Sequence, residues 1–190
     1  MTKDAKSRYN NLCLFGVIIM EIQLKELAKK EELVQLTEDL DLKAAFEGRK
    51  DILHHSLVHA DLHAKHEAGA FKVKGTLTVD VEFSCSRCLT DMKQTVKLPF
   101  EEVFTQNPLD QYGQEIDEDV HLVTEDKVEL VPYVLEHVVL GLPYTPLCDR
   151  ACKGLCPECG VNRNLVSCSC SPVKLDPRFA GLADFFNKED

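Results

Sequence analysis

Six of the nine cysteines in this chain fall within the twenty-three residues from Cys148 to Cys170. Thiolate sulfur is a preferred ligand of zinc, and two cysteines separated by two residues can reach one ion from a tight turn. Cys156 and Cys159 have this spacing. Gly160 follows them, where a glycine relieves strain as the chain leaves the turn. The block therefore predicts metal binding.

Other thiols in the block extend this prediction. Cys148, Cys152 and Cys156 each lie four residues apart, so that neighbours would share one face of a helix and could share an ion. Cys168 and Cys170 are close enough for a short turn to fold both onto one metal. From spacing alone, the division of these ligands between sites stays open.

A further pair, Cys85 and Cys88, lies far upstream with the same two-residue spacing. With the isolated Cys13 set aside, eight thiols remain, which is the number that two four-cysteine tetrahedral sites require. We therefore expect two zinc ions. The candidate ligands are Cys85, Cys88, Cys148, Cys152, Cys156, Cys159, Cys168 and Cys170.

Disulfides, an iron–sulfur cluster and a redox pair are the alternatives for these cysteines. Structural disulfides require export, and closely spaced pairs of this kind are unusual as bridges. A thioredoxin-type redox pair needs its first thiol at a helix N-terminus, where the helix dipole lowers the thiol pKa. The Cys85 pair instead follows a predicted strand, at the tip of a hairpin, which favours a structural metal ligand.

Alternation of apolar and polar residues predicts the elements that position this pair. Val58–Ala64 alternates as a half-buried strand, and Phe71–Cys85 alternates without a break. A return strand is predicted over Met92–Phe104, with Pro99 indicating an edge position. The expected fold class is α+β, mainly an antiparallel sheet with a long hairpin, few helices and a C-terminal cysteine-rich module.

The rest of the chain gives weaker patterns. We expect a short strand near residues 21–24, a helical turn over 28–33, a strand near Leu40 and a loop over 43–56. Lys127–Val131 is predicted as a short strand. A helix is expected to open at Pro132, and a C-terminal helix at Asp176. The five histidines from His54 to His66 lie in the strand pattern, which favours a structural role over metal binding.

Length and composition favour one domain with a small appendage. Residues 1–19 resemble a signal peptide but lack a cleavage site, so we expect a disordered or mis-assigned leader before a start at Met20. Residues 20–147 are expected to form the sheet domain, with an acidic loop near 101–126. Residues 148–190 are expected to form the zinc module and its helix. Because the leader lacks a cleavage site, we also expect a cytoplasmic location. No apolar run is long enough to cross a membrane.

Charge is distributed unevenly along the chain. The net charge of −10 argues against general binding to nucleic acid, which depends on clustered basic residues. Residues 101–130 carry ten acidic residues and one lysine, whereas residues 148–178 carry five basic and three acidic residues. The cysteine module is therefore the candidate anion-facing surface. Its candidate RNA contacts are Arg150, Lys153, Arg163, Lys174 and Arg178.

The order of these features resembles the YceD family of large ribosomal RNA subunit accumulation proteins, in its Gram-positive branch. The resemblance rests on Cys85-x-Arg-Cys-Leu, the acidic stretch, the helix ending Leu142-Pro143, and the block Cys148-x3-Cys-Lys-Gly-Leu-Cys-Pro-x-Cys-Gly. It is also carried by Asn162-Arg-Asn and Asp176-Pro-Arg. The match covers most of the chain from Met20 onward.

This resemblance implies a cytosolic bacterial protein needed for the accumulation or processing of 23S rRNA, with no catalytic residues. It also implies how the thiols divide. One site would consist of Cys85, Cys88, Cys148 and Cys152, and the other of Cys156, Cys159, Cys168 and Cys170. The implied partner is large-subunit rRNA or a pre-ribosomal particle, contacted directly or through a ribosomal protein, with no membrane and no small-molecule substrate.

Three functions are compatible with these features. The first is a zinc-stabilised factor in large-subunit biogenesis that acts by binding. The second is an enzyme, which the sequence disfavours because hydrolytic zinc sites keep an open position and carry histidine or carboxylate ligands. The third is a zinc-ribbon regulator that binds DNA or polymerase, and a thiol redox protein is a lesser alternative. We expect the first function and no enzymatic activity.

Overall fold

The computed structural model describes residues 20–29, 32–108 and 119–170 of the 190-residue chain. These residues divide into two compact units. The sheet unit contains the described residues up to Glu82 together with Lys93–Pro143. The cysteine unit contains Phe83–Met92 and the described residues from Tyr144 onward. The tip of the long hairpin therefore groups with the C-terminal cysteines.

Eight strands and two α-helices lie within the described residues. In chain order they are β1 (Glu21–Gln23), α1 (Leu24–Lys29), β2 (Val34–Leu40), β3 (Ile52–His55), β4 (Val58–Glu67), β5 (Ala70–Ser84), β6 (Asp91–Thr105), β7 (Val120–Leu122), β8 (Lys127–Glu129) and α2 (Val131–Gly141), with a short 3-10 helix at Lys43–Ala45 between β2 and β3. Strands β1 and β8 form a two-stranded antiparallel sheet. The larger sheet has six strands in the order β2-β4-β5-β6-β7, with β3 paired to β5.

Alternating side chains build the centre of the larger sheet. In β4 and β5 every second residue from Val58 and from Phe71 faces inward, and all of these except His66 and Gly75 are buried. The turn joining the two strands consists of Ala68 and Gly69, which both have positive φ, as tight hairpins require. The predicted half-buried strand and the predicted long hairpin are both confirmed, as is the predicted fold class.

Strand β6 contains Pro99, which has no amide hydrogen to donate to a neighbouring strand. On the side of β6 away from β5, strand β7 pairs with Val103, Phe104 and Thr105, and in the described part of the chain this pairing does not reach Pro99. The β6–β7 pair is parallel, so the sheet is mixed at this edge.

Two predictions from the weaker patterns were wrong. The first helix spans Leu24–Lys29 rather than residues 28–33, because Leu24 and Leu27 lie three apart and are both buried. Residues 43–56 are not only loop. They contain the 3-10 helix and β3, a four-residue strand too short to produce a clear alternation.

Helix α2 follows the predicted spacing. Pro132 lies in its first turn, where the missing amide hydrogen costs no helical hydrogen bond. Val134 and Val138 are buried on one face. Just after the end of α2, the carbonyl of Pro143 accepts a hydrogen bond from Arg49. Two guanidinium nitrogens of Arg49 also donate to the Asp51 carboxylate, at 2.5 and 2.9 Å.

Besides the ends of β5 and β6 at the hairpin tip, the described part of the cysteine unit contains turns and one isolated β-bridge, between Leu155 and Asn162, but no helix. Its small core consists of buried thiols, Cys85, Cys88 and Cys152, against which Leu147 and Leu155 pack. The predicted C-terminal helix at Asp176 and the leader 1–19 lie outside the described residues, as do residues 109–118 of the predicted acidic loop. The described part of that loop contains β7. The start of that acidic stretch, residues 101–105, belongs to β6.

Candidate metal centre

Four sulfurs come together in what we call the first thiol group, Cys85, Cys88, Cys148 and Cys152, all within 4.8 Å of one another. The Sγ atoms of Cys85 and Cys152 are 3.9 Å apart, and those of Cys88 and Cys148 are 3.5 Å apart. Two of these residues come from the hairpin tip and two from the segment that follows Pro143. The site therefore joins two local cysteine pairs and closes a loop of more than sixty residues between them.

Backbone hydrogen bonds shape the hairpin tip. The amide of Leu89 donates to the carbonyl of Cys85 at 2.9 Å, and the amide of Cys85 donates to the carbonyl of Thr90 at 2.9 Å. Leu89 has a φ of 58°, a backbone conformation that residues other than glycine rarely adopt. The resulting turn directs the Cys85 and Cys88 thiols to the same side.

The second segment is held against this turn within the same unit. Ser86 donates its amide hydrogen to the carbonyl of Pro146, and Leu155 donates to the carbonyl of Arg87 at 3.0 Å. Gly154 lies so close to this contact that a Cβ atom there would be 3.0 Å from the same carbonyl oxygen. Backbone contacts thus bring the two thiol pairs together before any metal is considered.

The second thiol group consists of Cys156, Cys159, Cys168 and Cys170, whose sulfurs also lie within 4.8 Å of one another. The amide of Gly160 donates to the carbonyl of Cys156 at 2.8 Å, and Gly160 has a φ of 73°. This turn repeats the geometry of the hairpin tip, with Gly160 in the place of Leu89. Here the predicted role of the glycine, to relieve strain after the second thiol, agrees with its backbone conformation.

Distances within the first group separate a metal site from a disulfide. A disulfide holds its sulfurs about 2.05 Å apart. A tetrahedral ion with metal–sulfur bonds of about 2.3 Å would hold them about 3.8 Å apart. The observed separations of 3.5 and 3.9 Å bracket the second value, and all eight cysteines of the two groups are free. Both groups therefore have the composition of a metal site, and the first has its spacing.

The thiol pKa values within each group diverge. Burial raises the pKa of Cys85, but backbone amides, that of Cys148 first, donate to its sulfur and lower the pKa to about 6. Cys148 faces the sulfurs of Cys88 and Cys152, which help to raise its pKa to about 12. Amides of Cys159 and Glu158 lower the pKa of Cys156 to about 6.

In the second group, the neighbouring thiols of Cys159 and Cys156 raise the pKa of Cys170 to about 12. Each group thus stabilises a thiolate at one sulfur and disfavours it at another, because four negative charges cannot share so small a volume. A bound divalent cation removes this conflict by interacting with all four charges.

Polar side chains around the first group were not identified from the sequence. The Asn164 side-chain amide donates to Cys152 Sγ at 3.2 Å, and the Asn164 Oδ1 accepts from the amide of Lys153 at 2.7 Å. Arg87 donates to the carbonyl of Cys152 at 2.9 Å. The Thr90 hydroxyl lies 3.3 Å from Cys88 Sγ and lowers the pKa of that thiol. Such outer contacts orient metal ligands.

The two groups differ in exposure. In the first group only Cys148 is exposed, and its other three cysteines are buried. In the second group only Cys156 is buried. Solvent therefore reaches the second group more readily.

The other predicted site residues are distributed as follows. Arg150, Lys153 and Arg163 are exposed in the cysteine unit, and Lys174 and Arg178 lie outside the described residues. His59 and His63 are exposed on the polar face of β4, as the strand pattern predicts, and His59 contacts Asp39 at 2.7 Å. Neither belongs to a cluster of metal ligands in the described part of the chain. In the same part, no helix is long and apolar enough to cross a membrane.

Comparison with known proteins identifies several relatives. The chain is 28% identical over 140 residues to an uncharacterized protein of Mycobacterium tuberculosis, covering 70% of this chain and 64% of the relative. It is 27% identical over 132 residues to the uncharacterized protein YlbN of Bacillus subtilis, covering 69% of this chain and 73% of the relative. The chain thus spans slightly less than two thirds of the length of the mycobacterial relative.

A plant protein is also similar. The chloroplastic large ribosomal RNA subunit accumulation protein YCED homolog 1 of Arabidopsis thaliana is 25% identical over 139 residues, covering 60% of this chain and 43% of the relative. No solved structure matches the chain significantly. Residues 73–186, more than half of the chain and all eight clustered cysteines, match the family described as large ribosomal RNA subunit accumulation protein YceD. This chain therefore belongs to the YceD family.

Proposed function

We propose that this chain is a zinc-stabilised, non-enzymatic factor in the accumulation and processing of 23S rRNA during biogenesis of the large ribosomal subunit. The observation that carries the proposal is the pair of four-thiol groups in a chain of this family. The name of the plant relative supports the link to large-subunit rRNA. We place the protein in the bacterial cytoplasm, where these thiols would stay reduced.

Zinc is the ion that best suits the two groups. It binds four thiolates tetrahedrally, and sites of this composition are structural and closed. The cysteine unit needs such support, because its described core is largely made of the thiols themselves. The apparent binding energy of structural zinc, on the order of 10 kcal/mol, would become folding energy of this unit.

Closed thiolate sites argue against catalysis at the metal. A catalytic zinc keeps one coordination position for water or substrate, and a general base lies beside it. In each group four sulfurs would occupy all four positions. We infer that the metals hold a surface in shape and that the surface acts by binding.

Exposed basic residues of the cysteine unit supply the surface for RNA. Arg150, Lys153 and Arg163 are exposed. Lys174 and Arg178, which lie outside the described residues, are further candidate contacts from the sequence. Phosphate contacts of this kind supply affinity that falls as salt concentration rises. We propose that this surface contacts rRNA within the pre-ribosomal particle.

Affinity purification of the tagged full chain, followed by identification of the bound RNA and protein, tests the proposal. Enrichment of large-subunit rRNA and its precursors is expected. Mobility-shift measurements with 23S rRNA fragments, duplex DNA and purified pre-large-subunit particles then separate the possible partners. Preference for duplex DNA, or purification without any large-subunit component, would contradict the proposal.

A matched pair of variants tests the surface. The double substitution Lys153→Glu and Arg163→Glu should weaken rRNA binding roughly tenfold or more, because it reverses two phosphate contacts. The control, Lys50→Glu with Lys97→Glu, makes the same charge change at exposed positions of the sheet unit. Equal effects of the two pairs would mean that net charge, and not this surface, governs binding.

A further inference from the structure

The sheet unit contains a cavity of about 640 Å³ between β6, the start of β7 and helix α2. Leu98 and Leu140 form an apolar wall, and four carboxylates, Glu101, Glu102, Asp119 and Glu136, line the rest together with two histidines. Among the residues that the structure describes, neither lysine nor arginine lines it. The volume is within the range of ligand pockets, about 300–1,000 Å³, and far exceeds that of a single ion.

Two of these carboxylates are already paired. Glu102 is only 13% exposed and accepts hydrogen bonds from His121 Nε2 at 2.6 Å and from His137 Nε2 at 2.7 Å. Glu101 contacts Lys74 at 2.6 Å. These contacts fix the side of the cavity formed by β6.

Asp119 and Glu136 have no ion pair among the described residues, so their charges are uncompensated there. The pKa of the neighbouring Tyr133 phenol reflects this negative charge. Its pKa is raised by burial first, and then by the negative charges of Glu102 and Glu136. The cavity therefore attracts cations and repels phosphate.

The apolar wall restricts the kind of cation. Leu140 is 76% exposed although it is a large apolar residue near the end of α2. Arginine and lysine side chains place an apolar stem along such a surface while the charged head meets a carboxylate. A cavity with Leu98 and Leu140 on one side and uncompensated carboxylates on another matches that combination.

We propose that this cavity binds an arginine or lysine side chain from a basic segment of a partner protein. The binding depends neither on metal in the thiol groups nor on RNA, and so it goes beyond the proposed function. It would give the molecule a site for a cationic protein in the sheet unit, in addition to an anion-binding surface in the cysteine unit. We choose a basic protein segment as the partner because its charge is opposite to that of the cavity.

Fluorescence anisotropy with the full-length, metal-loaded protein tests this proposal. The probe is a labelled glycine–serine peptide that carries several arginines. The matched control peptide replaces each arginine by citrulline, which has nearly the same shape but no charge. Saturable binding of the arginine peptide and at least tenfold weaker binding of the citrulline peptide are expected. Equal binding of both peptides would overturn the proposal.

Variants localise the binding. Asp119→Asn combined with Glu136→Gln should weaken the arginine peptide roughly tenfold, about threefold for each carboxylate. Leu140→Ser should weaken it as well, since it removes the apolar wall. The control Glu129→Gln removes an exposed carboxylate of the same acidic stretch that does not line the cavity, and should change affinity less than twofold. Equal weakening by Glu129→Gln would indicate general attraction to an acidic surface and overturn the proposal.

Two competitors test whether a small polycation or an RNA occupies the cavity instead of a protein segment. Spermidine carries several positive charges without a peptide backbone, and should displace the probe only at much higher concentration than unlabelled peptide. An rRNA fragment should not displace the probe from this cavity. Displacement by spermidine at equal concentration, or RNA binding that is lost in the Asp119→Asn, Glu136→Gln variant, would overturn the assignment to a protein segment. All substituted residues are exposed, and circular dichroism melting verifies that the variants fold.

Discussion

At the residue scale, the two thiol turns share one backbone conformation but place different residues in it. Each turn needs a left-handed backbone directly after its second cysteine, where Gly160 has a φ of 73° and Leu89 a φ of 58°. Glycine adopts this conformation freely, whereas an L side chain there costs about 1–2 kcal/mol. Leu89 is also 64% exposed, so burial of its side chain does not offset the cost.

Leu89→Gly should therefore stabilise the protein. Relief of the left-handed backbone is partly offset by the greater freedom of glycine in the unfolded chain, which leaves a gain of about 0.5 kcal/mol. The control is Leu165→Gly, an 80% exposed leucine without positive φ, which should lose about 1 kcal/mol. Urea unfolding measures both. If the two glycine variants lose the same stability, the backbone of Leu89 is not strained.

The sequence indicated which thiols come together better than it indicated their surroundings. Cysteine spacing selected these eight thiols, and the family resemblance implied the two sets of four that the structure brings together. The contacts of Asn164 and Thr90 with sulfur were missed, because they depend on which residues the turns bring together in space. Spacing along the chain does not contain that information.

At the element scale, β4 and β5 approach each other closely at Gly75, which pairs with Leu62. A Cβ atom at this glycine would lie 2.1 Å from the carbonyl oxygen of Asp61 and 2.8 Å from the Cα of Leu62. Both are backbone atoms of a central strand, which cannot move without disturbing the sheet. Gly75 therefore interrupts the buried row of β5 for a steric reason.

Gly75→Ala should destabilise the sheet unit by about 1–3 kcal/mol, the usual range for overpacking. The expected result is a lower urea midpoint with an unchanged slope. Gly69→Asn serves as the control, because nothing lies within 4 Å of that position and asparagine tolerates its φ of 81°. A Gly75→Ala variant as stable as Gly69→Asn would mean that the strands can separate locally without cost.

The contact of Arg49 with Asp51 and the Pro143 carbonyl gives a second prediction at this scale. The hydrogen bond from Arg49 lowers the pKa of Asp51, and both side chains are less than one third exposed. Arg49→Lys loses the two-pronged contact and should cost about 1 kcal/mol at pH 7. The stabilising contribution of a carboxyl with a lowered pKa is complete above its ordinary value, near pH 4, and disappears as pH falls through the lowered pKa.

The difference in stability between wild type and Arg49→Lys should therefore shrink below pH 4. Urea unfolding followed by circular dichroism between pH 7 and pH 3 measures it. The exposed pair of Lys43 and Asp41 provides the comparison, since Lys43→Gln should have little effect at any of these pH values. A difference that stays constant down to pH 3 would exclude the Asp51 charge as its cause.

The long strands and the short strands β1 and β8 were predictable from the sequence, whereas the short strands β3 and β7 were not. The alternation of β5 extends over fifteen residues, so one face is specified many times. Strands β3 and β7 have four and three residues, and their pairing is decided by neighbours distant in the chain. Helix α1 was placed several residues too late, because its apolar side chains at Leu24 and Leu27 also fit the end of a strand.

At the scale of the whole molecule, the two units are stabilised differently. The described core of the sheet unit contains large buried side chains such as Phe100, Phe104 and Leu77. The core of the cysteine unit is formed mainly by thiols. Metal should therefore matter to one unit far more than to the other.

Cys88→Ser and Cys159→Ser test this division. Each variant should lose one of two zinc ions, and the remaining ion should belong to the other group. Hydrogen exchange should increase at residues 83–92 and 144–152 in Cys88→Ser, but mainly after residue 152 in Cys159→Ser. In both variants β4 and β5 within the sheet unit should keep their protection. One zinc in the wild type, or loss of the same ion in both variants, would contradict the two-site division.

Cys88 and Cys148 lie sixty positions apart in the sequence, and this separation determines how long the upstream thiols lack their partners during synthesis. The second thiol group is local and can close soon after Cys170 leaves the ribosome, whereas Cys85 and Cys88 must wait through the synthesis of β6, β7, β8 and α2 for their partners. Contacts so distant in sequence form late and slowly. During that interval the two upstream thiols of the nascent chain are available to oxidants and to competing metals, so that the first group is the one most vulnerable while the protein is being made.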